Sequence, residues 1–160
     1  MEKKVYIETL GCQMNKSDTE RMLGMLSNFG YIQTDEPKNA DLLIINTCSI
    51  RQLSEDKAYS YVGVWSKWKE KRPNLKIAIS GCVAQQKNEK LLKRFPMVDL
   101  IMGPRSYYRL PELLKKINEG ERICDVSDAL SQKENGYSVK RVSGYNAWVP
   151  ITEGCNNFCT

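Results

Sequence analysis

Strand-forming runs and helix-spaced stretches alternate along this chain. Val5 to Thr9, Lys76 to Ile79 and Val98 to Met102 read as strands. Leu42 to Ile45 is apolar at every position, with no polar alternation, as a strand buried on both faces requires. Between these runs the period changes. Met22, Met25, Leu26 and Phe29 recur at i, i+3, i+4 and i+7, which predicts a helix. Ser17-Asp18-Thr19-Glu20 has the form of its capping box and Gly30 of its C-terminal stop. A second helix is expected from near Ser54, through Ala58, Tyr61, Val62 and Trp65, to a point before Pro73. A third runs from Ala84 to Arg94, and a fourth carries Leu110, Leu113, Leu114 and Ile117 up to Gly120. Tyr31 to Thr34 and Glu121 to Val126 suit shorter strands. Strands alternating with helices predict a doubly wound α/β domain with a mostly parallel sheet flanked by helices. That domain is expected over residues 1–127, followed by a polar linker over 128–146 and the first strand of a further domain over 147–160.

Composition narrows the class. With 41% hydrophobic and 27% charged residues, the chain can fill one ordinary core. No apolar run approaches the roughly 18–20 residues of a membrane span, and "MEKKVYIETLG" has no signal-like apolar stretch. A cytoplasmic monomer without a membrane partner is the expectation. The net charge of +5 is compatible with an RNA partner without establishing one. Trp65, Lys67, Trp68, Lys69, Lys71 and Arg72 mix rings with bases near a helix end. Trp65 is read as core, and the cations as a solvated face suited to a helix C-terminus.

The cysteines carry the chemistry. "LGCQMN", "NTCSI" and "SGCVA" place Cys12, Cys48 and Cys82 each just after a predicted strand. In a reducing compartment spaced cysteines bind metal or react more often than they form disulfides. The chain contains no histidine, which removes Ser-His and Cys-His catalysis and histidine-ligated zinc. In an open parallel sheet the carboxyl ends of the strands share one edge, where ligands bind. Three neighbouring strands would therefore bring the three thiols together. Gly11 and Gly81 allow sharp turns beside them, and Asn15, Asn46 and Thr47 add polar groups. Three thiolates without histidine suggest an iron–sulfur cluster, which four cysteines usually hold, so one iron would be left open. A zinc site with Cys124 as fourth ligand is the metal alternative, disfavoured because "RICDV" puts Cys124 inside a strand. Buried thiols without a special role are the bland reading, and for Cys124 that reading is preferred.

"EGCNNFCT" holds Cys155 and Cys159 in C-x3-C spacing. This resembles the opening of the radical S-adenosylmethionine signature C-x3-C-x2-C, whose third cysteine would fall two positions past Thr160. Together with "GCQMNKSDTE", "NTCSIRQLSEDKAYS", "SGCVAQ" and "GPRSYYRLPELL", the chain resembles the methylthiotransferase family, in its MiaB-type, tRNA-modifying branch. The resemblance runs from Val5 to Thr160. It implies an N-terminal methylthiotransferase domain, followed in full-length members by a radical SAM partial barrel and a small RNA-binding domain. It implies two 4Fe-4S clusters and S-adenosyl-L-methionine. Cys12, Cys48 and Cys82 would ligate the auxiliary cluster, whose open iron holds the sulfur to be transferred. Cys155 and Cys159 would ligate the SAM-binding cluster. The implied reaction adds a methylthio group to carbon 2 of an isopentenyl-adenosine beside the tRNA anticodon. Trp148 would be the first core aromatic of the barrel, and Arg51 a cation beside the auxiliary cluster. As an N-terminal portion the chain is expected to be inactive alone. A ribosomal-protein methylthiotransferase and a non-catalytic cluster-bearing or RNA-docking module are the alternatives.

Overall fold

The computed structural model describes residues 2–49, 52–127, 139–142, 144–149 and 151. Among them, six strands form one all-parallel sheet: β1 (Lys3–Leu10), β2 (Tyr31–Gln33), β3 (Leu42–Thr47), β4 (Lys76–Gly81), β5 (Leu100–Met102) and β6 (Ile123–Asp125). The order across the sheet is β2-β1-β3-β4-β5-β6. The helices are α1 (Gln13–Asn28), α2 (Gln52–Lys71), α3 (Cys82–Lys87), α4 (Glu89–Arg94) and α5 (Leu110–Asn118). This is the doubly wound α/β arrangement the pattern predicts.

The two-residue period of a strand sorts β3 between two cores. Leu42 and Ile44 face α1 and α5, beside Val5, Met22, Leu26, Leu113 and Ile117. Leu43 and Ile45 face α2, α3 and α4, beside Val62, Trp65, Val83 and Leu91. Every residue of β3 is buried, so its apolar run needs no polar alternation.

Helix starts depart from the sequence pattern in two places. α1 begins at Gln13, a full turn before Ser17, with Cys12 as its N-cap. The Asn15 carboxamide oxygen accepts from the Cys12 backbone N–H at 3.1 Å, which is the capping contact actually made. Ser17 and Glu20 lie buried within the helix instead. The expected helix over Ala84 to Arg94 starts earlier, at Cys82, and breaks at Asn88. Asn88 has φ 43°, in the left-handed region that asparagine tolerates better than most residues.

The basic end of α2 is only partly a solvated face. Trp65 is core, as expected. Lys69 is half-buried, however, and its ammonium reaches both Asp99 carboxylate oxygens at 2.6 Å and the Met97 carbonyl at 2.9 Å. Asp99 in turn accepts from the Ile77 N–H at 2.8 Å. Arg72 donates to the carbonyls of Lys38 and Ala40. These cations tie α2 to the amino ends of the strands. Lys69→Met would leave the buried Asp99 carboxylate with Lys76, at 4.0 Å, as its ion-pair partner among the described residues. Loss of about 2 kcal/mol is expected, below the usual range for breaking a buried pair because of Lys76. Urea unfolding of the variant checks this.

Candidate metal centre

An open α/β sheet binds ligands at the carboxyl edge, where the strand order reverses. Here the chain steps from β1 outward to β2 and then crosses back to β3, so the reversal lies between β1 and β3. The three strand-end cysteines emerge at this point. In the register of the sheet Leu10 stands opposite Thr47, and Thr47 opposite Gly81. Cys48 follows Thr47 directly, Cys82 follows Gly81, and Cys12 lies just past Leu10. Residues far apart in sequence thus share one edge because β1, β3 and β4 are adjacent and in step.

Backbone contacts set the approach. The Cys48 N–H donates to the Leu10 carbonyl at 3.0 Å, carrying the pairing one residue past β3. Gly11 lets the chain pass over it: a Cβ there would lie 2.2 Å from the Asn15 amide oxygen and 2.9 Å from the Cys48 Cβ. Gly81 has φ +97°, and a Cβ there would stand 2.1 Å from the Thr47 carbonyl oxygen. Both glycines therefore make room between the cysteine-bearing turns.

Exposure is graded across the three thiols. Cys12 is exposed, Cys82 half-buried and Cys48 buried. Burial pushes the Cys82 thiol up from its ordinary value. The charges of Cys48, Cys12 and Asp18 push the same way, against a hydrogen bond with the Ser49 backbone. The Cys82 thiol therefore feels the other two cysteines, and repulsion of that kind is what a bound cation relieves. Cys12 is also the N-cap of α1.

A buried polar layer fixes these turns from below. The Asn15 amide donates to the Asn46 amide oxygen and to the Thr47 carbonyl, each at 3.0 Å. The Asn46 amide donates back to the Asn15 carbonyl at 2.7 Å and to the Thr19 hydroxyl at 3.1 Å. Thr19 meets Thr9 at 2.8 Å, and the Thr47 hydroxyl donates to the Ser80 carbonyl at 2.9 Å. The Cys12 thiol lies 3.4 Å from the Asn15 amide oxygen. Among the described residues no buried side-chain nitrogen or oxygen lacks a partner. Asn15 and Asn46, singled out in the sequence for their place beside the thiols, spend their amides mainly on the backbone and on each other. The threonines were not singled out for this layer, apart from Thr47. The available signal was a polar residue closing each apolar run, as in "IINT", "AIS" and "IET".

Cys124 does not join the three. It lies in β6 opposite Ile101, with β5 between it and β4, and packs against the core under α2, α3 and α4. Burial and the charges of Glu89 and Asp125 push its thiol up, with no contribution from the other cysteines. Among the described residues no group of three or more cysteine and acidic side chains closes round a single metal ion. Cys155, Cys159 and Arg51 lie outside the described residues. Trp148 is half-buried against this domain, with the Lys16 ammonium 5.6 Å from its ring centre.

The topology defines an α/β domain with a cysteine just past the carboxyl end of each of three adjacent central strands. Residues 4–103 match the family described as uncharacterized protein family UPF0004, and the chain belongs to that family. Relatives extend the likeness along the chain. It is 44% identical to the tRNA-2-methylthio-N(6)-dimethylallyladenosine synthase of Carboxydothermus hydrogenoformans, over 99% of this chain and 37% of that protein. The enzymes of the same name from Ruegeria sp. and Dictyoglomus thermophilum are 42% and 40% identical, each over 98% of this chain and 36% of the relative. The chain thus spans little more than a third of the length of these curated relatives.

Proposed function

We propose that this chain is the sulfur-presenting, cluster-binding portion of a tRNA methylthiotransferase, with Cys12, Cys48 and Cys82 as ligands of a 4Fe-4S cluster. The observation that carries the reading is the register of β1, β3 and β4, which brings these three cysteines to one sheet edge at the reversal point. Neighbouring strands stand about 4.8 Å apart, so side chains rising from three of them span roughly 10 Å. Sulfurs bound to one zinc at about 2.3 Å cannot lie more than about 4.6 Å apart. A cluster that gives each thiolate its own iron suits the wider spacing, and Cys124 is too remote to complete a four-thiol zinc site.

When bound, such a cluster would supply an open iron able to hold the sulfur destined for the substrate. The protein's own part is position and environment. Cys48 provides a ligand from a buried backbone turn, Cys82 one from the start of α3, and Cys12 an exposed one at the solvent side. Asn15 and Asn46 tie the Cys12 turn to the Cys48 turn. The absence of histidine is no obstacle, because a non-acidic C–H bond is not opened by acid–base groups. Cys155 and Cys159 would contribute to a second, SAM-binding 4Fe-4S cluster. The substrate, by likeness to the named relatives, is a dimethylallyl-adenosine in tRNA. The setting is the cytoplasm and the protein a monomer; no helix among the described residues is long and apolar enough to cross a membrane.

The test uses a full-length protein carrying this segment, expressed in cells that lack their own enzyme, with tRNA nucleosides measured by mass spectrometry. The 2-methylthio nucleoside is expected with the native segment and with Cys124→Ala, and its complete loss with Cys48→Ala. Modification of a ribosomal protein in place of tRNA, or full product from Cys48→Ala, would overturn the proposal.

A further inference from the structure

Glu20 is a buried carboxylate on α1, 2% exposed, and the strand-end site makes no use of it. Its partners come from the far end of the chain. The Arg141 guanidinium donates to one carboxylate oxygen at 2.8 Å, and the Val142 N–H to the other at 3.2 Å. The Lys140 N–H donates to the Glu20 carbonyl at 3.1 Å. Arg141 also donates to the Trp148 carbonyl at 3.2 Å, which folds the segment back on itself. The Trp148 ring then lies by the ammonium of Lys16, one helical turn from Cys12. A cavity of about 340 Å³ remains between segment and domain, lined by Thr9, Lys16, Thr19, Glu20, Asn146 and Trp148 among others. The described residues of 139–151 contain no helix or strand, so these individual contacts rather than a backbone ladder hold them.

We infer that Glu20 is a positioning residue: with Arg141 it latches segment 139–149 along α1 and so fixes where the chain bearing Cys155 and Cys159 leaves the domain. Cys155 follows Trp148 by few enough residues that it cannot stand more than about 25 Å from it along an extended chain. Holding Trp148 over the first turns of α1 therefore limits how far the C-x3-C motif can stand from Cys12. A buried carboxylate is costly without its cation, so the pair favours one docked arrangement. In a protein that must deliver sulfur from one cluster to a carbon activated at another, such a tether would limit the separation of the two sites. That purpose rests on the function proposed above; the latch itself does not.

The test uses the apo chain, without iron or SAM, so failure of cluster assembly and failure of the latch are read separately. Amide exchange is followed over 139–149 and over β3 in the native chain, Glu20→Gln and Arg141→Ala. Trypsin cleavage after Arg141 is followed in the native chain and Glu20→Gln. Cross-linking of Cys12 to Cys155 by a short bismaleimide gives the positioning readout. Exchange over 139–149 should rise about tenfold in both variants and cleavage after Arg141 about tenfold in Glu20→Gln, with β3 unchanged, and the Cys12–Cys155 cross-link should fall several-fold. Equal exchange in native and variant chains, loss of β3 protection in step with the segment, or a cross-link that is absent or insensitive to both variants would overturn the inference.

Discussion

Gly81→Ala is expected to cost the domain roughly 3–5 kcal/mol, from a backbone conformation nearly restricted to glycine together with overpacking. Gly81 has φ +97°, and the added methyl would meet the Thr47 carbonyl oxygen at 2.1 Å and the Thr47 nitrogen at 2.9 Å. Both atoms are backbone, and both belong to the residue paired with Gly81 across β3 and β4. Neither can rotate away as a side-chain tip could. Relief requires separating the ends of the two central strands, which would also move Cys82 away from Cys48. The variant should unfold at clearly lower urea concentration and bind less iron at equal folded fraction. A stability within about 1 kcal/mol of the native chain would show that this approach is looser than described.

Asn46→Ala is expected to have the next largest effect, about 3 kcal/mol. Asn46 is fully buried at the centre of the polar layer. Truncation removes its bonds to the Asn15 carbonyl and Thr19 hydroxyl, and the bond it accepts from the Asn15 amide. It also leaves a small cavity. Asn15 keeps its bond to the Thr47 carbonyl, which limits the damage. Since Asn15 caps the Cys12 turn, the consequence should spread to the most exposed thiol: Cys12 should be alkylated faster in Asn46→Ala than in the native apo chain. Thermal unfolding with timed alkylation checks both parts. Full stability with unchanged Cys12 reactivity would mean the layer is filled in some other way.

The sheet was legible in the chain because its strands are short apolar runs bounded by turns, and the three cysteines were legible because each follows such a run. Their adjacency was not. It depends on β2 lying outside β1, so that β1 and β3 become neighbours, and no local pattern specifies that order. Helix starts were misplaced where the cap was a cysteine followed by Asn15 rather than the expected serine, and where Gly81 leads straight into α3. The break at Asn88 follows "QQK" and precedes "EK", with neither proline nor glycine to mark it. Glu20 looked like half of a capping box, whereas its partner Arg141 is 121 residues away. Lys69 looked like one of several surface cations until Asp99 was placed beneath it. In each case a long-range partner decided the role of a residue whose local context suggested a different one.

The most direct measurement is anaerobic reconstitution of the chain with iron and sulfide, followed by iron counting and electron paramagnetic resonance after reduction. Cys12→Ala, Cys48→Ala, Cys82→Ala and Cys124→Ala are compared in parallel. A 4Fe-4S cluster retained in Cys124→Ala and lost from each of the other three is the predicted result. Equal iron in all four variants, or no cluster in the native chain, would contradict the assignment of the reversal point as a cluster site.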